Sequence, residues 1–141
     1  MAMPHRIDVR EDRVAVAAGE DPAYQAFRIL QIAFVLAPVI AGLDKFFGLL
    51  VNWDQYLAPT IANLLPVAPH TFMLAVGVVE IVAGLVVAVW PYVGGYLVTA
   101  WLWGIIVNLL MIPGYYDIAL RDFGLSLGAT ALARLSRRYR A

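Results

Sequence analysis

The sequence predicts an all-α integral membrane protein, a four-helix bundle with both termini on the cytoplasmic side. Three observations carry this. Of the 141 residues, 62% are hydrophobic and 14% charged, whereas soluble domains average about 45–50% apolar and about 25% charged. Between Ala26 and Ala133 the only charged residues are Arg28, Asp44, Lys45, Asp54, Glu80, Asp117, Arg121 and Asp122. From Ile81 to Tyr116 no charge occurs, a run long enough for most of two bilayer crossings with a turn between them.

Residues 1–23 read as a polar cytoplasmic arm of mixed charge, without the apolar core of a secretory signal. The first span is expected over 26–47, since about twenty residues rising about 1.5 Å each cross the hydrocarbon. Pro38 lies inside it, and a kink between Phe34 and Pro38 follows from the lost hydrogen bond. Residues 48–70 hold Trp53, Tyr56, Pro59, Pro66 and Pro69. This mixture predicts an outer interfacial loop with a short helix lying on the membrane. The second span, 71–89, has Glu80 near its middle and ends at Trp90-Pro91. The third, 92–112, is closed by Pro113-Gly114, and the fourth covers 116–135.

Arg134, Arg137, Arg138 and Arg140 make the C-terminal flank the most basic, which places the 136–141 tail in the cytoplasm. Four spans then return the N-terminal arm to the same side, in agreement with Arg6, Arg10 and Arg13. Gly124 and Gly128, four apart in the fourth span, and Gly77 and Gly84 in the second are expected at close helix contacts.

The same inventory excludes several chemistries. There is no cysteine, hence no disulfide, thiolate nucleophile, Fe–S cluster or Cys-type zinc site. His5 and His70 are the only histidines and lie far apart in the chain, so no bis-histidine haem is expected. Gly94-Gly95 lacks the phosphate-loop lysine, and no nucleophile–base–orienter set is visible beyond the adjacent His70 and Thr71. Ten basic and ten acidic side chains balance, giving no basic face for nucleic acid. No catalytic or metal residue is assigned, and the chain is not expected to be an enzyme on its own.

Intramembrane charge is the functional clue. A charge at the bilayer centre costs about 2.5–3.5 kcal/mol on insertion scales, so Glu80 needs a hydrogen-bonded or charged partner. Arg28 and Arg121 are candidates by depth, and Arg121 is preferred because it shares a face with Asp117 and can extend along the interior. Setting the spans antiparallel gathers Asp44, Lys45, His70, Asn108, Asp117, Arg121 and Asp122 in the outer half. Such a cluster suits a polar pocket for a small molecule, a proton path or a structural lock.

Arg28 opening the first span, Ala41-Gly42-Leu43-Asp44-Lys45-Phe46-Phe47-Gly48 closing it, and Gly77-Val78-Val79-Glu80-Ile81-Val82-Ala83-Gly84 in the second resemble the DoxX-like family of small four-helix bacterial membrane proteins. The resemblance covers about Phe27 to Leu135. The Gly114–Gly124 segment looks like a distinct branch. By position, Arg28, Lys45 and Glu80 resemble the polar residues of that family's first two spans. The resemblance implies a multi-pass protein of the bacterial cytoplasmic (inner) membrane, a subunit or accessory protein linked in some relatives to quinone-reducing sulfur oxidation or oxidative-stress complexes. The expected function is therefore an accessory subunit of a quinone-linked redox assembly. It would have no intrinsic cofactor, a quinone as the ligand it admits, and other membrane subunits or further copies of itself as partners in the bilayer. The alternatives are a small-solute or proton transporter acting as a homo-oligomer, and a purely structural assembly protein.

Overall fold

The computed structural model describes residues 21–139. The cytoplasmic arm expected before Asp21 and the last two residues of the basic tail lie outside them. Among the described residues every regular element is helical: α1 Pro22–Phe47, a 3-10 turn Trp53–Tyr56, α2 Pro59–Ala62, α3 Pro69–Val89, α4 Pro91–Leu110 and α5 Tyr116–Tyr139. Helices α1, α3 and α4 are long and apolar enough to cross a membrane. α5 is not among them; it carries Asp117, Arg121 and Asp122 in its first two turns and Arg134, Arg137 and Arg138 towards its end.

Proline sets the boundaries. Pro22, Pro59, Pro69 and Pro91 each stand at the start of a helix, where the missing N–H is not needed and φ is already helical. Pro91 also pushes the preceding residue out of the α region. Trp90 is non-helical (φ −146°, ψ 74°) and serves as both the C-cap of α3 and the N-cap of α4, so a single residue makes the hairpin. α1 runs unbroken through Pro38 and ends at Gly48, whose φ of 65° is the left-handed cap geometry that glycine adopts at little cost.

α1 packs on α3 and α4 on α5, with α3 against α4 and α1 against α5 joining the two pairs. Backbone approach at glycine closes these seams. A Cβ on Gly42 would sit 2.5 Å from the Gly77 carbonyl oxygen, one on Gly77 2.7 Å from that of Gly42, and one on Gly84 2.6 Å from Val39. Gly94 abuts the Val87 backbone, and Gly95 abuts Ala129 and Ala133. Without a hydrophobic drive between helices in lipid, such contacts supply dispersion energy through close packing. Phe27, Phe34, Ala83, Val87, Val98, Ala129 and Leu132 fill the core at the end of the bundle where α1 begins and α5 ends. Ile106, Leu109 and Ala119 form a smaller cluster towards the loop end.

At the terminal end the Tyr139 hydroxyl donates to Asp21 at 2.7 Å, and its ring packs on those of Tyr24 and Phe27. The Tyr139 hydrogen bond is the main reason that the Asp21 carboxyl is held below the usual range. The contact ties the start of α1 to the end of α5.

Candidate functional site

The Glu80 carboxylate receives the Lys45 ammonium at 2.7 Å, with the two side chains only 3% and 8% exposed. The expected counter-charge, Arg121, is not its partner. Arg121 bonds the adjacent Asp122 at 3.4 Å, and its side chain is 66% exposed. Side-chain direction explains the difference, because Cα–Cβ bonds tilt towards a helix's own N-terminus. Lys45, near the C-terminal end of α1, is thereby directed back into the bundle to the level of Glu80. Arg121, near the N-terminal end of the antiparallel α5, is directed outwards to the loop end.

The loop after α1 roofs the pair. Asp44 Oδ1 accepts from the Leu49 amide at 2.8 Å, and Oδ2 accepts from the Leu50 amide at 3.0 Å and from Trp53 Nε1 at 2.8 Å. A buried carboxylate thus has both oxygens satisfied and fixes the Trp53 ring. The Lys45 ammonium lies 4.0 Å from the centroid of that ring, a cation–π contact. Among the described residues Glu80 is its only hydrogen-bond acceptor.

Lys45 also lines an open cleft with Phe47, Trp53, Asp54 and His70. The exposed His70 meets Asp54 through Nδ1 at 3.0 Å. The cleft therefore has a buried cation on one side, aromatic walls, and a His–Asp pair at its solvent-facing rim.

The remaining expected members of the cluster separate. Asn108 clasps the loop: its side chain accepts from the buried Ala58 amide at 2.8 Å and donates to the Tyr56 carbonyl. This fixes the end of the 3-10 turn and the start of α2 against α4. Asp122 is buried and close enough for its charge to act on Glu80. Asp117 is exposed, as is Gly124, and a Cβ on Gly124 would meet nothing within 4 Å, so this glycine makes no close contact among the described residues. Gly128 faces the Phe34 ring, 3.3 Å from where its Cβ would stand. Arg28 lies at the other end of α1, where it donates to Gln31 Oε1 at 2.7 Å while Gln31 donates to the Ala88 carbonyl at 3.2 Å. That pair caps the end of α3 and takes no part in the site.

One contributor, Trp53, escaped the sequence reading. It reads there as an interfacial anchor, and nothing local announces that its indole covers Lys45. Trp101 Nε1 is buried without a hydrogen-bond partner among the described residues. It lies two turns along α4 from Gly94, just as Glu80 lies two turns along α3 from Val87, the residue that Gly94 abuts. Trp101 is not among the residues that line the Lys45 cleft.

Comparison of the chain with family models, curated proteins and solved structures gives no match.

Proposed function

We propose that this chain is a small integral subunit of a quinone-linked redox assembly in a bacterial inner membrane, crossing the bilayer four times with both termini in the cytoplasm. The fourth crossing would be α5, whose first two turns bury Asp122 against the bundle and leave Asp117 and Arg121 on an outward face. The observation that carries the reading is the Lys45–Glu80 pair, buried among apolar helices yet reaching an open cleft through Lys45. A buried ion pair is weak evidence for stability, because desolvation offsets its Coulombic gain. Ionisable groups inside a membrane protein more often mark a ligand or proton path.

The chemistry around the pair fits a neutral ring bearing carbonyl or hydroxyl oxygens. Lys45 offers a donor with capacity to spare, and Trp53 and Phe47 offer aromatic faces. Asp44, Asp54 and Glu80 make the surroundings unfavourable for an anion. Glu80 is assigned the proton-active role, with Lys45 as its counter-charge. Electron transfer falls to a partner subunit, since this chain contains no cysteine and only two histidines. The resemblance to the DoxX-like family supports the same reading.

Tryptophan fluorescence tests the ligand. Titrating the purified protein in lipid nanodiscs with a short-chain quinone is expected to give a saturable quenching component that disappears in Trp53→Phe and weakens in Lys45→Met. Quenching that is linear in quinone and indifferent to both substitutions would remove the head group from the cleft.

A further inference from the structure

Asp117, Arg121 and Gly124 do not enter the site, and the fold places all three on one exposed face of α5. They recur at i, i+4 and i+7, flanked by Leu120 and Leu127, which are 71% and 57% exposed. No hydrogen bond or ion pair reaches Asp117 among the described residues. Among the described residues Arg121 has only its neighbour Asp122, at 3.4 Å. Gly124 leaves an open notch between the two leucines. Charges aimed at lipid are costly, and in membrane proteins they almost always turn towards protein or water. A glycine notch permits close helix approach.

We infer that this face of α5 is the contact between two copies of the chain, packed parallel about a two-fold axis that passes near Gly124. The charge pattern is self-complementary. Four residues along a helix rise about 6 Å, and the Arg121 side chain tilts towards its own N-terminus. In a parallel pair each Arg121 is therefore directed to the level of Asp117 on the other copy, and both ion pairs form at once. Gly124 meets Gly124 at the axis, which lets the two backbones come close enough for the charges to reach across. A two-fold contact uses the same patch on both subunits, and this patch has what such a contact needs.

The native chain has no cysteine, so a single cysteine reports the contact without background. Gly124→Cys, oxidised in native membranes, is expected to give a disulfide-linked dimer, because bridged residues must have Cα atoms within about 7 Å. Val82→Cys, on an exposed face of α3, is expected to stay monomeric. In the Gly124→Cys background, Arg121→Asp and Asp117→Arg should each lower the linked fraction about tenfold, and the double reversal should restore it. Native mass spectrometry of the unsubstituted protein should give twice the chain mass. The inference is overturned by linkage no greater than that of Val82→Cys, by indifference to charge reversal, by linkage only to a different protein, or by a single-chain mass.

Discussion

Replacing Lys45 by Met is expected to lower the stability of the folded protein by about 3–5 kcal/mol, the usual cost of removing one partner of a buried ion pair. Glu80 is the group left behind. Its side chain is 8% exposed, too little for water to restore what Lys45 supplied, and the nearby Asp122 adds a second negative charge. The double substitution Lys45→Met with Glu80→Leu should return to within about 1 kcal/mol of the parent or exceed it, because well-packed apolar residues replace buried pairs at little or no cost. Unfolding in detergent followed by circular dichroism measures both. A double variant no more stable than the worse single variant would mean that the two groups are not coupled.

Gly42→Leu should be about as damaging, at about 3 kcal/mol or more, for a steric reason. Its Cβ would lie 2.5 Å from the Gly77 carbonyl oxygen and 2.8 Å from Ile81 Cγ1. The first of these is backbone, so α1 and α3 must part for any side chain to fit. Separating them also moves Lys45 from Glu80, since Lys45 packs on Gly77 in the same seam. Gly104→Leu serves as the control: nothing lies within 4 Å of that position, and a change within about 0.5 kcal/mol is expected. Equal loss from both substitutions in the same unfolding assay would show that the α1–α3 seam is not closed at Gly42.

Composition and proline placement made the helical class, its apolar helices and their order legible. The expected second and third spans, 71–89 and 92–112, differ from α3 and α4 by no more than two residues at any end. Glu80 stood out because it interrupts an apolar run. Its partner was not legible from depth alone, since depth ranks residues by the position of Cα. Lys45 and Arg121 sit near ends of antiparallel helices, and side-chain tilt carries one inwards and the other outwards. The partners of Asn108 were not legible for a related reason: its amide is used by backbone groups of residues 56 and 58, and no periodicity shows where a loop folds back. Close glycine approaches inside the bundle occur at Gly77, Gly84 and also Gly42, whereas Gly124 is turned outwards, because spacing cannot tell a face that meets its own bundle from one that faces away from it.

The central claim is that Glu80 moves a proton at a quinone site and does more than lock two helices together. Quinone turnover in native membranes carrying Glu80→Gln tests it most directly, with assembly of the complex followed in parallel. Glutamine keeps the size and the acceptor oxygen but removes the exchangeable carboxyl proton. Turnover is predicted to fall about 10²-fold, the usual scale of a lost proton-transfer group, while assembly stays intact. Normal turnover in a fully assembled Glu80→Gln membrane would contradict it.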